Sequence, residues 1–168
     1  MIVSLTGFMG CGKSSVGEAL SKSLGWDFID LDSYIEYKIG LSIPQIFEEG
    51  EKAFRAIEAE ALRDITAMHE VAGGNLVLAL GGGTVTTPDC LRIVKENTRC
   101  FWLNPGIETI LKRLSGKEGR PLLDGLDENG IKRLYESREI LYRQAGEEIS
   151  TFGNDAVKTA GTIYEKIS

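Results

Sequence analysis

Apolar residues along the chain gather into short continuous runs, separated by stretches in which they recur every three or four positions. Short runs bounded by glycine or aspartate mark strands buried on both faces, and the helical recurrence marks segments packed by one face. On this basis Ile2–Leu5 is a strand and Lys13–Leu24 a helix stopped by Gly25. Asp27–Leu31 is a second strand, followed by short helical pieces to about Glu49. Glu51–Met68 reads as a longer helix with Phe54, Ile57, Ala61 and Ile65 on one stripe, and Leu76–Leu80 is a third strand running into Gly81-Gly82-Gly83. Thr87 is placed to cap a helix that has Pro88 in its first turn and Asp89 close behind. Beyond it come a strand at Cys100–Leu103, a helix at Gly106–Leu114 and a polar, glycine-bearing stretch at Ser115–Gly125. A helix over Asp127–Gln144, a weak strand at Glu148–Thr151 and a helix over Asp155–Ile167 close the chain. The alternation predicts an α/β fold of three layers, α/β/α, around a central, mainly parallel five-stranded sheet. Ligands of such sheets lie beyond the carboxyl ends of the strands.

Composition narrows the class. The 168 residues suffice for one core, and no repeat or linker divides them. Acidic residues outnumber basic ones 25 to 19, a formal charge of −6, which argues against a general binder of nucleic acid or anionic membrane. A local pocket can still be positive. Cys11, Cys90 and Cys100 fit no metal-ligand spacing and no disulfide framework, so a reducing cytoplasm is the expected setting. No apolar run approaches the roughly 20 residues of a membrane span, and no basic segment precedes the first apolar run as in a secretory signal.

Three strand ends carry chemistry. After the first strand, GFMGCGKS satisfies the spacing G-x-x-x-x-G-K-[ST] through Gly7, Gly12, Lys13 and Ser14. Its glycines let backbone N–H groups turn inward, and the following helix start adds partial positive charge, so the loop suits a phosphate chain. Lys13 would reach the terminal phosphates and Ser14 would bind Mg²⁺. At the second strand end, Asp30 and Asp32 are two apart, which on a strand aims both carboxylates at one face. One suits a metal's water shell and the other proton acceptance from an attacking hydroxyl; the competing reading is that Asp32 caps the next helix. The third end, Gly81-Gly82-Gly83, permits close approach of a ligand to the backbone. Arg55 and Glu58 are three apart on one helix and read locally as a surface ion pair worth ~0.2–0.5 kcal/mol. Lys112, Arg113, Lys117 and Arg120 form a basic segment able to fold over phosphates, and Arg138 shares its helix with Arg133 and Arg143. His69 reads as a solvated or capping residue, and Trp26 and Trp102 as packing residues.

Taken together, GFMGCGKS, FIDLD, FRAIE, LGGGT, GRPLL and REILY stand in the order found in shikimate kinases, and the chain resembles that family over nearly its whole length. The resemblance implies transfer of the ATP γ-phosphoryl group to the 3-hydroxyl of shikimate, with Mg²⁺, by one P-loop kinase domain spanning 1–168. Within it, about 31–60 would be the substrate-binding segment and about 112–125 a lid. ATP would be held by Gly10, Cys11, Gly12, Lys13, Ser14 and Ser15, with Arg113 near the adenine and Arg120 reaching the phosphates from the lid. Asp30 is similar to the carboxylate that holds the metal through water, and Asp32 to the acid that contacts the substrate hydroxyls and is the candidate base. Arg55 and Arg138 match the pair that clamps the shikimate carboxylate, Glu58 would orient Arg55, and Gly81 and Gly82 would meet the substrate. Lys13, Asp32 and Arg120 are thus the expected catalytic set, in a cytoplasmic monomer that binds neither nucleic acid nor membrane. The sequence departs from the family pattern at Ala56, at Ile140 and in EISTFGND, where adenine contacts are expected and none is assigned. The alternatives are another small-molecule kinase, for gluconate or a nucleotide, and a nucleotide-binding module without turnover.

Overall fold

The computed structural model describes residues 1–115 and 123–168. Among them, strands β1 (Ile2–Thr6), β2 (Asp27–Asp30), β3 (Leu76–Ala79), β4 (Arg99–Asn104) and β5 (Glu147–Ser150) form one sheet in the order β2-β3-β1-β4-β5. Every neighbouring pair is parallel. Helices α1 (Lys13–Leu24), α2 (Leu31–Ile39), α3 (Ile43–Phe47) and α4 (Glu51–Ala72) precede α5 (Pro88–Asn97), α6 (Ile107–Leu114), α7 (Glu128–Ala145) and α8 (Ala156–Ile167).

The apolar runs of the strands divide between two cores with a period of two, as alternate side chains of a strand must. Val3, Leu5, Val77, Phe101 and Leu103 pack on one face with Val16 and Leu20 of α1 and Ala160 and Ile163 of α8. Ile2, Leu76, Leu78, Cys100 and Trp102 face the other way, against Phe54, Leu62 and Ile65 of α4, Ile93 of α5 and Tyr142 of α7. The result is the expected three-layer α/β/α arrangement. Leu5 pairs with Ala79 and Asp30 pairs with Ala79, so β1, β3 and β2 end on one level. The loop after β1, the acids after β2 and the glycines after β3 therefore emerge side by side.

Some element ends differ from expectation. β2 stops at Asp30, which is the N-cap of α2: its Oδ1 accepts the Ser33 N–H at 3.1 Å. Asp30 and Asp32 thus do not share a strand face; Asp32 lies in the first turn of α2, and the capping acid is Asp30 rather than Asp32. Leu31 and Ile35, both fully buried, supply the i,i+4 contact that favours the helix over a longer strand. α4 runs a turn beyond Met68, to Ala72, where the Gly73 N–H closes on the His69 carbonyl. Thr87 occupies the N-cap position of α5, but its hydroxyl makes no cap bond; the turn before it is a 3₁₀ helix over Thr84–Thr86.

Candidate active site

A cavity of about 520 Å³ opens at the carboxyl edge of the sheet. Gly10, Cys11, Gly12, Lys13, Ser14 and Ser15 form one wall, and Asp30, Asp32, Gly82 and Arg113 others. Gly12 is the N-cap of α1 at φ 100°, a left-handed conformation that side chains resist, and it lets α1 start with its N–H groups facing the cavity. Lys13 Nζ donates to the carbonyls of Gly7 (2.8 Å) and Phe8 (3.2 Å). The ammonium is thereby folded onto the loop whose phosphate it would meet. Ser14 Oγ donates to Asp30 Oδ2 at 2.5 Å. These two oxygens, one neutral and one anionic, are the donor set of a hard divalent cation that keeps much of its water. Among the described residues no three His, Cys, Asp or Glu side chains cluster as a metal cage, so such an ion would draw its other ligands from water and phosphate.

Asp32 stands where the three turns meet. Burial pushes its carboxyl up to about 6, with Glu58 and Asp30 adding to the rise while Lys13 and Arg55 oppose it. A side chain at Gly81 would start 3.0 Å from Asp32 Oδ1 and 2.8 Å from Glu58 Oε1, so the bare backbone there is what allows two carboxylates to flank it.

Behind Gly82 lies a second, drier polar group. Glu58 is wholly buried, accepting from Arg55 Nη1 at 2.7 Å and from the Thr84 hydroxyl at 2.6 Å. This is no surface pair. Burial works against the Arg55 charge, yet Glu58, with Glu51 at 3.3 Å on Nη2, holds the guanidinium above its ordinary range. A side chain at Gly83 would collide with Arg55. Arg138 is only 5% exposed and, among the described residues, has no carboxylate partner. Among the described residues it approaches the Gly82 carbonyl at 3.4 Å, the Phe8 ring, 5.7 Å from ring centre to guanidinium carbon, and the Tyr142 phenol. A buried cation without a counter-charge is costly, and an anionic ligand is the natural relief.

Of the expected site residues, the structure gathers Gly10 to Ser15, Asp30, Asp32, Gly82 and Arg113 around the cavity. Arg55, Glu58, Gly81 and Arg138 do not line it; they abut it through Asp32 and Gly82. Arg120 lies outside the described residues. Arg113 Nη1 donates to the Gly10 carbonyl at 3.1 Å, which fixes α6 beside the loop. The sequence reading missed Thr151, Asn154 and Thr159, which line the far end of the cavity. The Thr151 hydroxyl is buried and has no hydrogen-bond partner among the described residues. Its position one residue past β5, at the carboxyl edge of the sheet, was the available signal. The missed role of Thr84 is equally specific, since it donates to Glu58 from a distant segment.

The chain is similar to known shikimate kinases. A family model described as "Shikimate kinase" matches residues 9–168. A shikimate kinase of Thermus thermophilus is 43% identical, with 98% of this chain and 89% of that protein covered. One from Chlorobium limicola is 39% identical, covering 99% of this chain and 84% of the relative. The solved structure of a shikimate kinase from Acinetobacter baumannii in complex with shikimate superimposes with a TM-score of 0.90 at 35% identity, covering 99% and 92% of the two chains. A deoxyadenosine kinase from M. mycoides, 14% identical with a TM-score of 0.65, shares the fold alone. With the family model matching residues 9–168 and these relatives aligned over nearly the whole length, the chain belongs to the shikimate kinase family.

Proposed function

We propose that the reaction of this family, ATP-dependent phosphorylation of the shikimate 3-hydroxyl, is performed here by the residues gathered at the carboxyl edge of the sheet. The observation that carries the assignment of the acceptor side is Arg138, a buried guanidinium lacking a carboxylate partner among the described residues and set next to Gly82. Arg138 and Arg55 flank consecutive glycines, Gly82 and Gly83, and together suit bidentate capture of a carboxylate. Glu58, fixed by Thr84, keeps Arg55 oriented for that contact.

Binding through the carboxylate would bring the acceptor hydroxyl towards Asp32. With its carboxyl near 6, Asp32 is mostly ionised at neutral pH yet basic enough to accept the hydroxyl proton as the new P–O bond forms. Lys13 would exchange its two carbonyl contacts for phosphate oxygens and offset the charge developing there. Mg²⁺, held by Ser14 and through water by Asp30, would supply charge neutralisation of the β- and γ-phosphates. The nucleotide would extend from the loop past Arg113 towards Thr151 and Asn154, along the cavity wall. We read the chain as one domain acting as a monomer in the cytoplasm, with about 31–60 binding shikimate. The lid of about 112–125, and Arg120 with it, carries over from the family resemblance. Among the described residues no helix is long and apolar enough to cross a membrane.

The test is ADP release coupled to a reporter, with shikimate, gluconate and nucleoside monophosphates compared as acceptors. Shikimate alone is expected to stimulate release, and Arg55→Ala to abolish that response while ATP binding persists. Equal stimulation by another acceptor, or an Arg55→Ala protein with normal shikimate response, would refute the assignment.

A further inference from the structure

Arg138 and Tyr142 lie one turn apart on α7 and reach for the same atom, the carbonyl oxygen of Gly82. Their contacts are unequal. The Tyr142 phenol donates over 2.5 Å, whereas Arg138 Nη1 stands off at 3.4 Å, well beyond the usual ~2.9–3.0 Å of an N–H···O bond. Tyr142 itself is fixed: it has no exposed surface, and its ring stacks on Trp102 with centroids 6.0 Å apart. Burial raises the phenol's pKa, against the charge of Arg138 and the Arg138 side chain lying within hydrogen-bonding reach of the phenol oxygen, so the phenol keeps its proton and remains a donor to Gly82.

We propose that Tyr142 is a positioning residue whose phenol satisfies the Gly82 carbonyl and so leaves the Arg138 guanidinium available for the carboxylate of the acceptor. The proposal rests on the shikimate kinase reading of Arg138. Gly82 sits in the wall between Arg138 and the cavity, and its peptide plane is set by whichever donor holds its carbonyl. Among the described residues, Arg138 is the other side-chain donor to this carbonyl. Without the phenol, the partly buried carbonyl would draw the guanidinium in, because a hydrogen bond left unmade away from bulk water is costly. Arg138 would then be engaged in the empty site and turned from the ligand, and each binding event would first have to detach it.

Tyr142→Phe tests this, since the ring that stacks on Trp102 is kept and only the hydroxyl is lost. The KM for shikimate is expected to rise about five- to tenfold, with kcat within about twofold and the KM for ATP unchanged. A merely structural role would not move the second readout, the preference for shikimate over its carboxamide analogue. That preference should shrink in Tyr142→Phe, because the carboxylate has lost access to Arg138. In an Arg138→Lys background the same change should add little to KM, which keeps the idea testable if one variant alone is poorly folded. An unaltered KM and carboxylate preference, as when water replaces the hydroxyl, would overturn the proposal. So would a parallel loss for shikimate, its carboxamide and ATP. A wild-type protein without shikimate-dependent turnover would instead sink the functional reading, and this proposal with it.

Discussion

The phosphate loop takes its shape from eight consecutive residues, Gly7 to Ser14, whereas the proposed carboxylate clamp draws Arg55 from α4, Arg138 from α7 and Gly82 from the turn after β3. The loop is made mainly of backbone, and its one strong charge, Lys13, rests on carbonyls of the loop itself. The clamp is made of side chains buried in a polar network that includes Glu58 and Thr84. Its two arginines also differ from each other: Arg55 has carboxylate partners before any ligand arrives, and Arg138 has none among the described residues. A contiguous motif can be made by local geometry alone. The clamp exists only when the whole sheet and both helices are in place, so its integrity and the fold's integrity are coupled.

That contrast can be broken at several points. The largest effect is expected in the loop, where Lys13→Ala should lower kcat by about 10²–10³-fold in the ADP-release assay, with the unfolding midpoint unchanged. Next comes the clamp. Glu58→Ala leaves the half-buried Arg55 charge with only the more exposed Glu51 as carboxylate partner among the described residues, removes the acceptor of the Thr84 hydroxyl, and should cost about 3 kcal/mol in urea unfolding. Arg138→Ala, which removes a buried charge that has no carboxylate partner among the described residues, should abolish the shikimate response while changing stability by less than about 1 kcal/mol. If both variants were equally destabilised, the two arginines would not be prepared differently, and the comparison would fail.

A pH-dependent effect is expected at Asp32, between the two regions. Its carboxyl, raised from 3.8 to about 6, holds a proton more tightly in the folded chain than in the unfolded one. The stability this contributes is complete below about pH 4 and is lost as pH rises through about 6. Asparagine does not titrate, so Asp32→Asn should gain stability over wild type across that window and level off above it. At pH 8 the gain should be about 1–2 kcal/mol, after allowance for partial solvent access. Thermal unfolding measured from pH 4 to 8 would show it. The same variant should lose turnover; near-normal kcat would exclude Asp32 both as base and as an essential hydroxyl anchor.

The layers of the fold were legible because strands buried on both faces and helices packed by one face leave different apolar periods. Leu76–Ala79 and Glu51–Ala72 illustrate the two. The loop was legible because its glycines, lysine and serine act through adjacent backbone. The junction after β2 was misjudged since FIDL reads as an uninterrupted strand; the signal against it was Leu31 and Ile35 at helical spacing after an aspartate able to cap. Glu58 looked superficial because spacing along one helix says nothing of a hydroxyl 26 residues away. Thr84 and the turn after β3 are what enclose it. Arg138, by contrast, could be told from Arg133 and Arg143 only by family resemblance, since choosing among three arginines on one helix requires knowing which side meets Gly82.

Asp30 holds two offices at once: one carboxylate oxygen starts α2 through the Ser33 amide, and the other takes the Ser14 hydroxyl. Alanine there would not distinguish loss of the proposed cation ligand from a frayed helix. Asparagine is the substitution that separates them, because it preserves an acceptor for the amide while withdrawing the negative charge. Glutamate, longer by one methylene, keeps the charge but displaces it. Position 30 is therefore constrained in both length and charge, a restriction that neither duty would impose by itself.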